Sequence, residues 1–277
     1  MMTVPDLVDS ELMVEGRVAT LTLNRHDVRN ELTGTKLVDD IVAVVDWIKR
    51  EEGISVFVLT GAGSAFSAGG NVKHMHHHEG SFGGDVYTIQ KKYRDGIQRM
   101  ALAVHNLEVP SIAAINGPAI GAGFDLACMC DIRIAAQDAT FGETFVNLGI
   151  IPGDGGAWLL QRLIGSQRAA EMTFTGRLLK ADEAKAIGVV LEVVPNDQLL
   201  SYTKLMAYKI ADKPPQALRL TKRLLKSAQR MNLPDFLDLC AVFQGMCHNS
   251  NDHTEAVSAF LEKRRPHFVG FTNTISN

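Results

Sequence analysis

The chain has 277 residues, of which 46% are hydrophobic and 21% charged, with a net charge of -3. That is enough apolar material for one large α/β domain or two smaller ones. The near-neutral balance argues against nucleic acid as the main partner, and no apolar run approaches the roughly 20 residues of a membrane span. The N-terminal Met-Met-Thr-Val-Pro-Asp-Leu-Val-Asp has no basic or apolar leader region, and the C-terminal Thr-Ile-Ser-Asn277 is not a peroxisomal address. The four cysteines, Cys128, Cys130, Cys240 and Cys247, are not spaced Cys-x-x-Cys. They read as buried free thiols, and the expected location is the cytoplasm.

Residues 18–24 alternate apolar and polar and predict a strand. Leu37, Ile41, Val44, Val45 and Ile48 lie at helical spacing. A strand is expected over 56–59, then a mobile Gly- and His-rich loop over 70–84 and one long helix over 85–107. Strands follow at 112–115 and 132–135, around a short apolar helix at 121–130. Helices are expected at 155–164, 167–174 and 181–187, a strand at 189–194, and helix almost throughout from Asp197 onward. Strands alternating with helices imply a parallel sheet built by crossovers. Residues 1–200 read as the core and 201–277 as a helical region suited to subunit contacts.

Two glycine-bearing segments each follow an apolar strand. One is Thr60-Gly-Ala-Gly-Ser-Ala-Phe-Ser-Ala-Gly-Gly70-Asn71, the other Pro110-Ser-Ile-Ala-Ala-Ile-Asn-Gly-Pro-Ala-Ile-Gly-Ala-Gly-Phe-Asp125. Gly and Ala let backbone approach a ligand with its N–H groups unobstructed. Two such segments on neighbouring strands can aim two donors at one oxygen, which is an oxyanion hole. Neither segment completes the Gly-x-Gly-x-x-Gly dinucleotide fingerprint, because Phe66 and Leu126 occupy the last position, and no P-loop pattern occurs. Tight turns without chemistry are the alternative for each segment taken alone.

With Leu148-Gly-Ile-Ile-Pro-Gly-Asp-Gly-Gly156, Thr175-Gly176, Ala181-Asp-Glu-Ala184 and Phe260-Leu-Glu-Lys-Arg-Arg265, these segments resemble, in one order, the crotonase superfamily, the enoyl-CoA hydratase/isomerase family. The resemblance runs from about residue 12 to about residue 268. It implies a crotonase-type spiral of ββα units with a C-terminal helical trimerisation region, assembled as a homotrimer or homohexamer. The implied substrate is an acyl-CoA thioester, with no separate cofactor because coenzyme A is part of the substrate. The resemblance also implies that the N–H groups of Gly70 and Ala122 hold the thioester oxygen. Ala68, Gly69, Asn71, Phe260 and Lys263 would contact the CoA moiety, the last two from a neighbouring subunit. For Lys263 the alternative is a solvated basic cluster with Arg264 and Arg265.

Asp125 matches the position of the first catalytic carboxylate of many members, or else is a buried cap of a turn. The second hydratase carboxylate falls at Phe145, whose ring cannot activate water. Two nearby acids are candidates to compensate: Asp154, otherwise a helix N-cap, and Glu143, which on a strand would face the same side as Phe145 and otherwise makes a structural hydrogen bond. Acids sharing an apolar pocket would have their pKa values driven apart. The expected activity is hydration of a 2-enoyl-CoA; the alternatives are double-bond isomerisation, C–C hydrolysis and non-catalytic CoA-thioester binding. The run His74-Met-His-His-His78 places two imidazoles four residues apart without further ligands, and no metal is expected.

Overall fold

The computed structural model describes residues 3–270, so the C-terminal Thr-Ile-Ser-Asn277 lies outside the described residues. Its strands are β1 (Ser10–Glu15), β2 (Val18–Leu23), β3 (Val56–Gly61), β4 (Ser111–Ile115), β5 (Ala119–Ile120), β6 (Ile132–Ala136), β7 (Thr140–Gly142), β8 (Leu178–Lys180) and β9 (Glu192–Val194). The helices are α1 (Leu37–Arg50), α2 (Val72–His76), α3 (Val86–Asp95), α4 (Ile97–His105), α5 (Ala122–Met129), α6 (Gly156–Ile164), α7 (Ser166–Thr175), α8 (Ala181–Ala186), α9 (Leu199–Ala211), α10 (Pro215–Ser227), α11 (Leu233–His248) and α12 (Asn251–Glu262).

The larger sheet has the order β1-β2-β3-β4-β6-β9. It is parallel from β2 to β9, as the alternating pattern requires, with β1 antiparallel at the edge. Its central strands are buried on both faces, which explains their unbroken apolar runs. Successive residues point to opposite sides. Phe57, Leu59, Ala113 and Ile115 pack into the core cluster that includes α1 and α5, whereas Val56, Val58, Ile112 and Ala114 pack against α9 through Leu199, Ala207 and Ala211. Helix α1 buries Leu37, Ile41, Val44, Val45 and Ile48, as their spacing predicts. Its Asp39 and Asp40 lie in the first turn and Lys49 and Arg50 in the last, matching the helix dipole.

Five features depart from the expectations, the last of them a second sheet. Strand β1, whose Met13 is largely exposed, has only a weak alternation and was not expected. The stretch at 70–84 contains α2 and a 3₁₀ turn at Gly80–Phe82. Asn71 nucleates α2 by accepting a hydrogen bond from His74 N–H at 2.9 Å. The long helix expected at 85–107 is broken at Gly96, with φ -108° and ψ -112°, into α3 and α4. The strand expected at 189–194 pairs only over Glu192–Val194.

A second, small sheet, β5-β7-β8, was not foreseen. Strands of two or three residues carry too little periodicity to announce themselves. This sheet is nevertheless what places the site. It pairs β5 in parallel with β7, so that the turn into α5 and the segment following Gly142 leave the sheet side by side.

The loop after β3 is held from two sides. Asn30, fully buried, accepts from Arg25 N–H at 2.9 Å and donates to the carbonyls of Ala62 and Ala65 at 3.0 and 2.9 Å. Asn30→Ala leaves these buried groups without partners and is expected to lower stability by about 2–3 kcal/mol in a urea titration.

Candidate active site

In the stretch from Phe66 to Asn71 the backbone N–H groups are spoken for, with one exception. Phe66 and Ser67 donate to the Pro118 carbonyl at 3.1 and 3.2 Å, Ala68 to the Arg29 carbonyl at 2.9 Å, and Gly69 to Ser67 Oγ at 3.2 Å. Asn71 donates to Thr33 Oγ1 at 2.8 Å. Between them, Gly70 N–H has no acceptor among the described residues. On the facing segment Ile120 donates to the Ser67 carbonyl at 3.0 Å and Gly121 to the Gly142 carbonyl at 2.8 Å. Ala122, the first residue of α5, has an N–H with no acceptor among the described residues, as helix geometry dictates. The two open donors line the same cavity.

The segments can come this close only because side chains are missing where they meet. Gly69 has φ +79°, and a Cβ there would overlap the Ile120 carbonyl and lie 3.1 Å from Ala122 N. A Cβ on Gly123 would likewise overlap the Ser67 carbonyl. The positive end of α5 adds to the field of the two donors.

The cavity is narrow and partly open to solvent, with a volume of about 40 Å³. Its apolar walls are Met75, Phe82, Ile97, Ala122, Phe145 and Ile150, with Thr33, Ser81, Tyr93 and Asp154 as polar groups. Lys92 also borders it, but its ammonium is engaged with the Gly80 and Gly83 carbonyls at 2.7 Å each, which ties the 3₁₀ turn to α3. Met75, Phe82, Tyr93 and Ile97 were not foreseen as site residues. They are ordinary apolar positions in sequence, and only the α2 segment and the break at Gly96 bring them together.

Asp125, Glu143 and Asp154 converge. Asp125 comes from α5, and Glu143 lies immediately after β7. Asp154 lies in the turn before α6, a turn pinned by the 2.8 Å hydrogen bond from Gln98 Nε2 to the Gly153 carbonyl. Asp125 and Glu143 are fully buried and Asp154 is 3% exposed. Of the three, only Asp154 lines the cavity; the other two lie behind it. Gly156 makes the convergence possible: a Cβ at that position would collide with Asp125 Oδ1 and with Glu143 Oε1.

The capping role considered for Asp154 is not realised. Gly155 occupies the N-cap of α6, with no side-chain cap. The strand reading of Glu143 and Phe145 is corrected as well. Residues Thr144–Leu148 form a 3₁₀ segment, so the two side chains diverge. Glu143 turns inward, while Phe145 stays on the cavity wall with its ring over Gly121.

None of the six carboxyl oxygens receives a hydrogen bond from a donor group among the described residues. Burial and mutual repulsion therefore favour protonation. Burial and the charges of Asp154 and Glu143 hold Asp125 well above the usual carboxylate range. Burial pushes Glu143 up to about 7 and also raises Asp154. Tyr93 is raised by burial and by nearby Asp154.

Of the remaining sequence candidates, Ala68 and Gly69 belong to the tightly bonded loop. Asn71 uses its side chain to cap α2 and to donate to Glu31 Oε2 at 2.8 Å. Phe260 is 82% exposed on α12, and Lys263 forms the left-handed end of that helix; neither lines the cavity. Helix α2 ends at His76, so His78 is not on its face.

The comparisons with known proteins agree with this geometry. The enoyl-CoA hydratase/isomerase family model matches residues 14–271, and the chain belongs to that family, within the crotonase superfamily. It is 36% identical to the short-chain-enoyl-CoA hydratase of Clostridium acetobutylicum, over 94% of this chain and 96% of that protein. It is 35% identical to the 1,2-epoxyphenylacetyl-CoA isomerase of Escherichia coli, over 93% and 97%. Among solved structures it matches the enoyl-CoA hydratase of Bacillus anthracis with a TM-score of 0.88 and 35% identity, over 94% of this chain and 99% of that one. The protein is therefore an enzyme of the hydratase/isomerase type with the crotonase fold.

The raised carboxyls set a pH dependence of stability. The folded state keeps protons that the unfolded chain releases, so these groups stabilise fully at low pH and less as pH rises. For Glu143 the loss falls between its unperturbed 4.5 and about 7. The stability of the wild type relative to Glu143→Gln, measured by urea unfolding, is expected to decrease across that window and then level off.

Proposed function

We propose that the protein is an enoyl-CoA hydratase whose cavity-facing acid is Asp154. The observation that carries this reading is the shared cavity of two open backbone donors, Gly70 and Ala122, with a single carboxyl on its wall. The thioester oxygen of a 2-enoyl-CoA would sit between the two N–H groups. As water attacks the β carbon, electron density moves through the double bond onto that oxygen, and the two donors stabilise the enolate. One such donor is worth about 2.7–4 kcal/mol in an enclosed site. Asp154, ionised, takes the proton from the attacking water and returns it to the α carbon as the enolate collapses, so the carboxylate is regenerated. Phe145 is an apolar wall here and takes no part in proton transfer.

The family's chemistry is that of CoA thioesters, which supports such a substrate without a separate cofactor. The exposed Phe260 and Lys263 on the C-terminal helix suit contacts to the CoA moiety of a neighbouring subunit in a homotrimer or homohexamer. A cytoplasmic location fits the free thiols; no helix among the described residues is long and apolar enough to cross a membrane.

A second reading, double-bond isomerisation, is favoured by the same single acid. Asp154 would remove a proton from the γ carbon and deliver it to the α carbon, with the same enolate between. The two are separated by the product: loss of conjugated-enoyl absorbance from crotonyl-CoA with uptake of water signals hydration, and a shifted double bond signals isomerisation. Asp154→Asn is expected to lower kcat at least about 100-fold in either case, with the fold intact by circular dichroism. An unchanged rate removes Asp154 from the mechanism.

A further inference from the structure

Three carboxyl groups around one point need an account of their protons, and the proposed reaction uses only one of them. Asp154 borders the cavity; Asp125 lies behind it, and Glu143 meets Asp125 in the space left free by the missing Gly156 side chain. All six oxygens lack other donors among the described residues. Three adjacent carboxylates cannot all be charged in such a place, because burial without a partner costs far more than protonation. Among the described residues, apart from the backbone N–H of Asp154 acting on its own carboxyl, the donors available to these oxygens are the carboxyl protons themselves.

We propose that Glu143 is a positioning residue that fixes the carboxyl proton of Asp125 on the side facing Asp154, and so keeps Asp154 oriented as the base. The inference rests on Asp154 being the cavity-facing acid. With Glu143 protonated, its O–H is donated to Asp125, and the Asp125 O–H is donated to Asp154. When Glu143 loses its proton it becomes an acceptor and draws the Asp125 O–H toward itself. Asp154 stays ionised but loses the Asp125 O–H that orients it, and it no longer holds its lone pair toward the water. One proton leaves Glu143 for solvent and the Asp125 proton turns from Asp154 to Glu143, so the cluster holds one proton fewer above the transition.

The groups facing Glu143 are few. Asp125 and Cys128 reach it from α5, and Asp154 from the turn before α6. The Cys128 thiol is pushed up to about 12 by burial and stays neutral. Arg133 of β6 acts on that thiol, and Tyr93 of α3 stands beside Asp154. Glu143 is the member pushed to about 7, so the proton arrangement switches near neutrality.

The test is the pH profile of kcat/KM for the wild type and Glu143→Gln, measured with the enoyl-CoA that the enzyme turns over, from about pH 5 to about pH 9. The wild type is expected to lose activity as pH rises through about 7. The amide cannot ionise, so the variant is expected to lack that fall and to exceed the wild type at least about fivefold near the alkaline end. A purely structural Glu143 would lower activity evenly and leave the fall in place; that result overturns the proposal.

A second measurement needs neither the variant nor turnover. Infrared spectra of the wild type should contain the carbonyl band of protonated carboxyl groups near about pH 6, with part of its intensity lost through about 7. Absence of that band sinks the proton arrangement whatever the reaction. Presence of the band in a protein that neither hydrates nor isomerises any enoyl-CoA leaves the arrangement standing and removes the reaction assigned above.

Discussion

Two lengths of backbone pressed together without side chains between them are the constraint on which the site depends. The β3 loop and the β5–α5 turn meet at Gly69 and Gly123, and each glycine occupies a place where a methyl group would strike a carbonyl. From Phe66 to Asn71 the loop's N–H groups are consumed in holding it, and Gly70 is left over. Ala122 is left over for a different reason, as the first residue of a helix. The pair of open donors is thus what the local bonding leaves over, held in place by backbone contacts rather than by dedicated side chains. Asn30 and the parallel pairing of β5 with β7 carry that hold back to the main sheet.

The acids obey the opposite logic. Backbone donors gain from being in a dry cavity, whereas carboxyls in the same surroundings are destabilised as anions. The fold compensates by clustering Asp125, Glu143 and Asp154, so that protons retained by one serve as hydrogen-bond donors to another. The phenyl ring at position 145 gives the cavity an apolar wall, and the carboxyl that lines the same cavity comes from Asp154, in the turn before α6.

Much of this was legible from the residues. The central strands announced themselves as apolar runs, α1 by its spacing, and the two glycine segments by composition and order. The ligand class followed from several motifs in one sequence rather than from any one of them. Other parts were hidden for physical reasons. Strands β5, β7 and β8 are too short to show a period, yet they bring Glu143 to Asp125. The break at Gly96 interrupts the one long helix expected over 85–107, and Tyr93 and Ile97 on either side of it line the cavity. Glu143 read as sharing a face with Phe145 because a strand was assumed there; a 3₁₀ segment sends them apart. Capping for Asp154 was plausible from sequence because only coordinates reveal that Gly155 holds that place.

Gly156 has a consequence that extends beyond this molecule. Its empty Cβ position is the space in which two carboxyls meet. Every glycine codon is one base away from an alanine codon, so the smallest possible coding change at this position drives the acids apart. A lineage carrying that change would retain the two open backbone donors while its acids are forced apart. Such a position is a genetic branch point, at which a single methyl group decides whether the carboxyls can meet.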